Sequence, residues 1–598
     1  MCSSALTHRL NRLLHRGPPR HYRGPEVPSI LRDLSQYIAA GDDAIQAAAG
    51  LPALPETYLL PVRPVASASF TIEADALLAG EFRPGARWKS KPLGFPPPWD
   101  ADPFEDRNWC SLLHSLEWLI PLVHAHVGAP DRGYLQASVR AVDDWIWRNP
   151  FRRAPSRFSW HDHAAAKRLR LFAWFWELYR ESDDFDLDFA RLLLASVYQH
   201  VLYHLDDRNY RPNSNHGLEG IGALFAAAIA FPSFRDASDW EAKARERLTQ
   251  WLADNLSPEG FHLEQSPSYH WFVLLRLAAI DRFLRANGRA VEELSEATER
   301  AAGVWPYLLK PNGAIPTVGD SSHTAPADWR ALLERQWGRR PPSPVSPSAA
   351  PDETRTSTIL VSPRAGYAIL ASEPPPYSTR DATYVLFRCR TFESPHFHHD
   401  ALSLVLFGLG RDWIVDPGYL NYDEADPRRQ HLRSLRAHSL VIIPGTHFRT
   451  GPNDCLEWGI TPQGISVSAY HDLPTARHTR RILLPDPSQL LVQDHLEWVR
   501  RRPVPWVQLF QLAPDLEVEI ISDRETRLIA PEGTSCLIRQ SSPGAWRVAR
   551  GEERPALQGW FSESYGKWNP GITLAFHVPL GVSAVRSQLQ LVRSDATP

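Results

Sequence analysis

Residues 339–353 read RRPPSPVSPSAAPDE (Arg339 to Glu353), and the chain changes character across them. Proline has a fixed φ and no N–H to donate, so a segment this rich in Pro and Ser cannot hold a helix and reads as a linker. Before it, apolar residues recur at helical spacing: Leu112, Leu113, Leu116, Leu119, Ile120 and Val123 in one stretch, Phe272, Val273, Leu277 and Ile280 in another. After it come short β-rich runs separated by turn residues: TYVLFRCR, LSLVLFGLG, DWIVDPG, SLVIIPG, RRILLP, QLLVQD and ITLAFHV. Many short strands without helical patterns between them argue an antiparallel sandwich. The expected fold is α+β in two domains. The boundaries expected are an unassigned extension over 1–90, a helical domain over 91–340, the linker over 341–355 and a β domain over 356–598.

The helical half carries a repeat. Polar, capping-type residues stand before apolar helices at Asn108, Asp162, Asn215, Ser266 and Asp320, at spacings of 54, 53, 51 and 54 residues. Each interval is long enough for one αα-hairpin. Hairpins whose inner helices all start on one side describe an incomplete (α/α) toroid, with helix N-termini ringing one face. Such ends are positive and carry unpaired N–H groups, which suits an anionic ligand.

Composition narrows the classes. A length of 598 residues exceeds what one core supports. The 43% hydrophobic and 22% charged fractions exclude a largely disordered chain. A net charge of −3 gives no support to a nucleic-acid surface. Five scattered cysteines without a CxxC pair read as reduced thiols. No apolar run approaches the length of a membrane span, so no transmembrane segment is expected. The basic first thirty residues lack an apolar h-region, so a cytoplasmic location is expected, with periplasm or secretion as the alternative. The 22 tryptophans raise the prospect of aromatic sugar platforms, although Trp174 and Trp176 sit in an apolar helix and read as core.

Three helix starts carry unusual side chains: Trp160-His161-Asp162-His163, Asn213-Ser214-Asn215-His216, and the run Glu264-Gln265-Ser266-Pro267-Ser268-Tyr269-His270. Helix capping alone accounts for Asp162 and Ser266. With Pro267 at the first helical position, Tyr269 falls in the first turn, where the dipole and any nearby cation lower a phenol pKa. The β half adds Ser394-Pro395-His396-Phe397-His398-His399-Asp400, then Asp416-Pro417-Gly418-Tyr419 and Arg436-Ala437-His438. On a strand, His396, His398 and Asp400 share one face and His399 the other. Imidazoles and carboxylates gathered this way can hold a zinc-like ion, and spacing does not say which subset does.

RPNSNH (211–216), GFHLEQSPSYH (260–270), HFHHDALSLVLFGLGRDWIVDPGYLNY (396–422) and LRSLRAHS (432–439), in helical-then-β order, resemble the heparinase II/III and alginate-lyase superfamily of polysaccharide lyases. The resemblance implies an incomplete (α/α) toroid followed by an antiparallel β-sandwich. It also implies cleavage of a uronic-acid polysaccharide by β-elimination, leaving a C4–C5 unsaturated uronate. That reaction removes the C5 proton, α to a carboxylate whose charge must be neutralised by donors, and expels the oxygen on C4. By resemblance, Asn215 and His216 bind the carboxyl group. Tyr269 protonates the leaving oxygen and, in a syn elimination, is also the base; His396 is the alternative base. His398, Asp416 and His438 match metal ligands, usually for zinc, which organises the cleft; Asp400 then reads as structural. Tyr419, Tyr422, Glu264, His161 and Arg168 are the further substrate contacts. The partner implied is an anionic polysaccharide or oligosaccharide. The chain departs from the family in Pro395 and Phe397, which replace two glycines, and in Ser439, which replaces an Asn.

Two rivals stand beside this reading. A glycoside hydrolase on an (α/α) barrel needs two catalytic carboxylates, for which Glu219 and Glu264 are available. A non-catalytic glycan-binding or capsule-assembly protein is the other. Since a highly sulfated glycan favours a strongly basic cleft, the net charge favours an unsulfated polyuronate such as alginate.

Overall fold

The computed structural model describes residues 22–39, 42, 45, 68–85, 87–129, 133–347, 357–444, 451–499 and 503–593. Cys2, the basic first twenty residues, residues 46–67 of the 1–90 extension and residues 348–355 of the linker lie outside the described residues. The chain divides into two compact units, neither continuous in sequence. One is Met1–Asp254 with Arg276–Ser295; the other is Asn255–Leu275 with Glu296–Pro598.

The first unit is helical. Helices Asp162–Tyr179 and Asn215–Ala230 are buried along most of their length, as core helices are; the second is apolar on nearly every side, whereas the first also buries Asp162, Arg168, Arg170 and Glu177. Ala237–Asn255 is amphipathic: Trp240, Ala244, Leu248, Trp251 and Leu252 form a buried stripe, while Glu246 and Gln250 face solvent. The helix expected after Asn108 is Arg107–Ser115, and its cap is Asp106, whose carboxylate accepts from the backbone N–H groups of Asn108 (2.7 Å) and Trp109 (3.3 Å). The periodic run through Leu112 and Val123 is not one helix. Leu116 takes a left-handed conformation (φ 60°), and a short 3-10 turn, Glu117–Leu119, leads into a second helix, Ile120–Gly128. The break lets Leu116 and Trp118 both be buried, with the Trp118 indole donating to the Leu113 carbonyl at 2.9 Å.

The second unit contains two large antiparallel sheets and a two-stranded one, Trp560–Phe561 with Asn569–Pro570. The nine-stranded one runs in the order Ala545–Arg550, Ile572–Val578, Trp506–Leu512, Arg411–Ile414, Leu404–Gly408, Tyr384–Arg388, Tyr367–Ala371, Thr358–Ser362, with Val441–Ile442 pairing on Trp506–Leu512. The eight-stranded one runs Glu517–Ile520, Glu525–Ile529, Ser535–Gln540, Ala584–Val592, Gln489–Trp498, Ala476–Asp486, Gly464–Asp472, Asn453–Thr461. One core draws on both, including Leu404, Leu406, Phe510 and Leu574 from the first and Val467, Ile482, Val492 and Ile538 from the second. This is the expected sandwich. Strands Gln489–Trp498 and Ala476–Asp486 largely alternate buried and exposed, whereas Tyr367–Ala371, Tyr384–Arg388 and Leu404–Gly408 are buried throughout. Other segments of the same unit cover the second face of that sheet: Phe261 stacks on Tyr367, and the Tyr384 hydroxyl donates to the Tyr307 carbonyl at 3.1 Å.

The fifth helix start is not where the repeat puts it. The helix is Trp329–Trp337, capped by Asp328, and Asp320 lies in the loop before it. The tryptophan excess is mainly packing: nine indoles are less than 2% exposed, and Trp174 and Trp176 are buried as well.

A buried polar network ties the eight-stranded sheet to the loops of its partner. Asp494 accepts from Arg480 (2.7 and 2.9 Å), His478 (2.6 Å) and Gln508 (2.7 Å), and Arg480 donates to the carbonyls of Leu402 (2.7 Å) and Ser439 (2.6 Å). Removing one member of a buried ion pair strands the other charge. Asp494→Ala is expected to lower unfolding stability by about 3–5 kcal/mol, read from the denaturant midpoint; a midpoint equal to wild type would contradict this account of the network.

Candidate active site

Helix Pro267–Ala286 starts as the sequence suggests, with the Ser266 hydroxyl accepting from the Tyr269 N–H at 3.4 Å. The residue before this cap, Gln265, is left-handed (φ 58°), a cost for a non-glycine residue that side-chain bonds hold in place. Its amide nitrogen donates to the Phe392 carbonyl, and its oxygen accepts from Arg388 at 2.5 Å. Nearby, Gly319 (φ 59°) brings its loop so close to residues 265 and 396 that a Cβ there would sit 2.6 Å from the Gln265 carbonyl oxygen and 2.8 Å from that of His396.

Gly319 delivers Asp320, a fully buried carboxylate with three partners. Oδ2 takes His396 Nδ1 at 3.0 Å and Arg429 Nη2 at 3.0 Å; Oδ1 takes His398 Nε2 at 3.1 Å and Arg429 Nη1 at 2.5 Å. Burial alone would raise its pKa, but the bonds from His396, His398 and Arg429 outweigh it and hold the group well below the ordinary carboxylate range. An ionised carboxylate only accepts, so each imidazole nitrogen facing it carries the hydrogen. His396 is therefore left with its lone pair on Nε2, and His398 with its lone pair on Nδ1.

The His396 ring stacks on Tyr269, with centroids 3.5 Å apart and planes 15° apart, and its Nε2 lies 3.8 Å from a Glu264 oxygen. The Tyr269 and Tyr422 hydroxyls are 2.8 Å apart. Tyr419, Tyr422 and Tyr565 form an aromatic group beside them, with centroids 5.6–6.1 Å apart. The Tyr269 phenol is not depressed as its helix start suggested. Burial pushes its pKa up, the bond to Tyr422 only partly opposes this, and Asp320, Tyr419 and Glu264 raise it further. Among the described residues no Lys or Arg acts on it to reverse the sign; the guanidinium of Arg429 sits over Tyr422 instead.

His398, Asp416 and His438 each offer a ligand atom within 4.8 Å of the other two, and all three are buried. His398 Nδ1 and His438 Nε2 have no hydrogen-bond partner among the described residues. His398 Nε2 is held from outside the trio by Asp320, whereas His438 Nδ1 bonds within it, to Asp416 at 2.8 Å. Two imidazoles and a carboxylate, with His398 oriented from behind by Asp320, are a donor set that fits a zinc-type ion. Against the effect of burial, Asp416 raises the His438 pKa, so a bound ion would replace the proton that the pair otherwise shares. The Asp416 backbone is fixed by Thr317 and by Gly418, whose φ of 76° and close approach to the Ser562 carbonyl exclude a side chain.

The helical unit carries its own polar cluster. Asp162 Oδ1 lies 3.1 Å from both His216 Nδ1 and His161 Nδ1, Arg211 Nε sits on Oδ2 at 2.5 Å, and the His163 ring stacks on His216. Asn215 is the first residue of its helix, behind Ser214 at the cap. The second oxygen of Asp162 is thus taken by a guanidinium.

Three readings need correction. Residues 394–400 form a loop between strands Tyr384–Arg388 and Leu404–Gly408, so alternation along a strand does not sort their histidines; Asp320 does. Asp400 pairs with Arg388 at 3.2 Å. Arg168 is not placed to meet a sugar: it is fully buried, with its guanidinium 3.7 Å from the Trp145 ring centre and donating to His200 (2.8 Å) and the His114 carbonyl (2.5 Å). Glu219, a carboxylate of the hydrolase rival, is buried between Arg170 and Arg276, which hold its pKa far below normal against the effect of burial. Sequence reasoning missed Asp320 as a site residue, Arg429 and Tyr565. Only Asp320 had been singled out, and as a cap.

The departures from the family pattern have local accounts. Phe397 is buried under the Arg433 guanidinium, and the Ser439 hydroxyl accepts the Gln511 N–H at 2.9 Å.

A family model described as heparinase II/III N-terminus matches residues 56–343, beginning inside the stretch left unassigned above, and one described as heparinase II/III-like, C-terminal matches residues 354–588. A heparin-sulfate lyase of Bacteroides thetaiotaomicron is 24% identical over 220 residues, 35% of this chain and 31% of that protein. A heparin-sulfate lyase of Bacteroides stercoris is 23% identical over 526 residues, 80% of this chain and 74% of that protein. A crystal structure of heparinase III shares the fold with a TM-score of 0.77 at 16% identity, covering 98% of this chain and 93% of that one.

Burial also sets an acid limit on this architecture. It pushes the imidazoles of His204, His262 and His270 down to about 3, 4 and 3; His270 is a neutral ring, accepting the His262 N–H on Nδ1 and donating from Nε2 to the Ala301 carbonyl. In the unfolded chain they titrate near ~6.5, so below that pH the unfolded state binds more protons and stability falls with acidification. The melting temperature is expected to drop as pH goes from about 6.5 to 4; a value constant over that range would refute this role for the three rings.

Proposed function

The chain belongs to the heparinase II/III family, and on that premise we propose that it is a polysaccharide lyase whose proton donor is Tyr269 and whose base is His396. The observation that carries the assignment is the stacked Tyr269–His396 pair with His396 Nδ1 bonded to Asp320. A phenol whose pKa is raised by burial holds its proton until a leaving alkoxide takes it. An imidazole that gives its Nδ1–H to an ionised carboxylate presents Nε2 for the C5 proton of a uronate. Asn215 and His216 are assigned the carboxyl-neutralising role by family likeness, with His216 oriented through Nδ1 by Asp162. Tyr422 and Tyr565, both partly exposed, offer aromatic surface for sugar rings, and the buried Tyr419 packs against them. His398, Asp416 and His438 would hold a zinc ion. When bound, such an ion supplies a fixed positive charge that orders the loops around it.

Elimination on these groups needs no second catalytic carboxylate, and Glu219, buried with its two oxygens on Arg170 and Arg276, is available neither as the acid nor as the base that the hydrolase rival requires. The names of the relatives bring heparan sulfate to the head of the substrates to test, ahead of the unsulfated polyuronates favoured by net charge.

Incubation with heparan sulfate, alginate and an unsulfated glucuronan is expected to produce ultraviolet absorbance from a new C4–C5 double bond on at least one of them. Tyr269→Phe is expected to lower kcat at least 10²-fold, about the contribution of a positioned acid, with substrate binding nearly unchanged. Retained turnover in that variant would remove Tyr269 from its role, and no absorbance on any uronic polysaccharide would overturn the lyase reading.

A further inference from the structure

Catalytic and metal-binding histidines are usually treated as separate parts of a site. Here one side chain holds both. The two oxygens of Asp320 receive His396 and His398 at 3.0 and 3.1 Å, and Arg429 spans both oxygens from the other side. The three partners leave the carboxylate little freedom to rotate, and its backbone is set by the close passage at Gly319 and by the Asp320 N–H donating to the His396 carbonyl at 3.3 Å.

We propose that Asp320 is a shared positioning residue, fixing through one carboxylate both the tautomer of the base His396 and the tautomer of the metal ligand His398, so that base orientation and metal affinity are coupled. The activity half of this claim rests on the lyase reading; the metal half does not.

The coupling follows from hydrogen-bond roles. With Asp320 ionised, His396 must carry its hydrogen on Nδ1 and His398 on Nε2, which frees Nε2 of the first for a proton and Nδ1 of the second for a metal. An asparagine cannot repeat this. It has one acceptor oxygen, and its NH2 would force one imidazole to offer a lone pair, moving the hydrogen of that ring to the nitrogen meant for substrate or metal. Arg429 would in addition face a donor. A glutamate keeps the charge but adds a methylene, so it cannot hold both rings at their present distances.

The test uses the full-length protein with zinc and, separately, cobalt(II) as the metal probes. In Asp320→Asn the zinc affinity, measured by chelator competition, is expected to fall 10–100-fold, the usual loss when a partner behind a ligand is removed. The visible absorption of the cobalt-loaded variant is expected to shift, and kcat to fall at least tenfold with KM little changed. His396→Ala is expected to lose kcat while keeping zinc affinity within twofold, which separates loss of the base from loss of its positioner. Asp320→Glu is the companion variant should the amide fail to fold, with the same directions expected. The proposal is overturned if the folded variants keep zinc affinity within twofold of wild type, if only one of the two functions falls, or if the wild-type protein binds neither metal. Should the wild type cleave no uronic polysaccharide, the lyase reading fails, and the affinity and spectrum alone decide the His398 half.

Discussion

The candidate site in the second unit is organised around one buried negative charge. A carboxylate as enclosed as Asp320 is tolerable only when its charge is met by donors. Here they are two imidazoles and a bidentate guanidinium. The cost of burying the group makes its surroundings specific: loss of any one donor would leave an under-solvated charge, so the loops bearing 320 and 396–398 and the helix bearing 429 are bound into one arrangement. Gly319 permits the approach, and Arg429 arrives from helix Pro427–Arg433.

The same unit explains why its central strands depart from ordinary antiparallel patterning. An antiparallel sheet commonly leaves one face to water. Tyr367–Ala371, Tyr384–Arg388 and Leu404–Gly408 do not, because chain from 255–275 and from 296 onward covers the face opposite the sandwich core. The segments that build this cover also carry Tyr269 and Asp320. Packing and chemistry therefore draw on the same segments; the compact units divide near 255, 275 and 295, while the two family models divide the chain at the proline-rich stretch.

Much of this was legible in the amino-acid order because it depends on local rules. Helical spacing before Arg339 and short β runs after it placed the two classes of structure, and Ser266 with Pro267 marked a real helix start. Contacts between residues far apart in the chain were not legible. The spacing of 54 from Ser266 to Asp320 made the latter resemble a cap, whereas Asp328 holds that role and Asp320 faces histidines 76 and 78 residues away. The HFHHD run was expected on a strand and lies in a loop, so period-two alternation did not apply to it. Burial reversed two expectations: it raised the Tyr269 phenol, and it placed Arg168 against Trp145, where no substrate reaches. Neither reversal has a signature in residue spacing.

A phenol that keeps its proton and an imidazole that offers a lone pair are matched to a reaction that takes a proton from one carbon and gives one to the neighbouring oxygen, with no water added across the bond. The mass of the fragments released from a uronic polysaccharide tests this most directly. The account predicts fragments whose new non-reducing end is lighter than a hydrolysed end by one water; fragments at the full hydrolysed mass would contradict it.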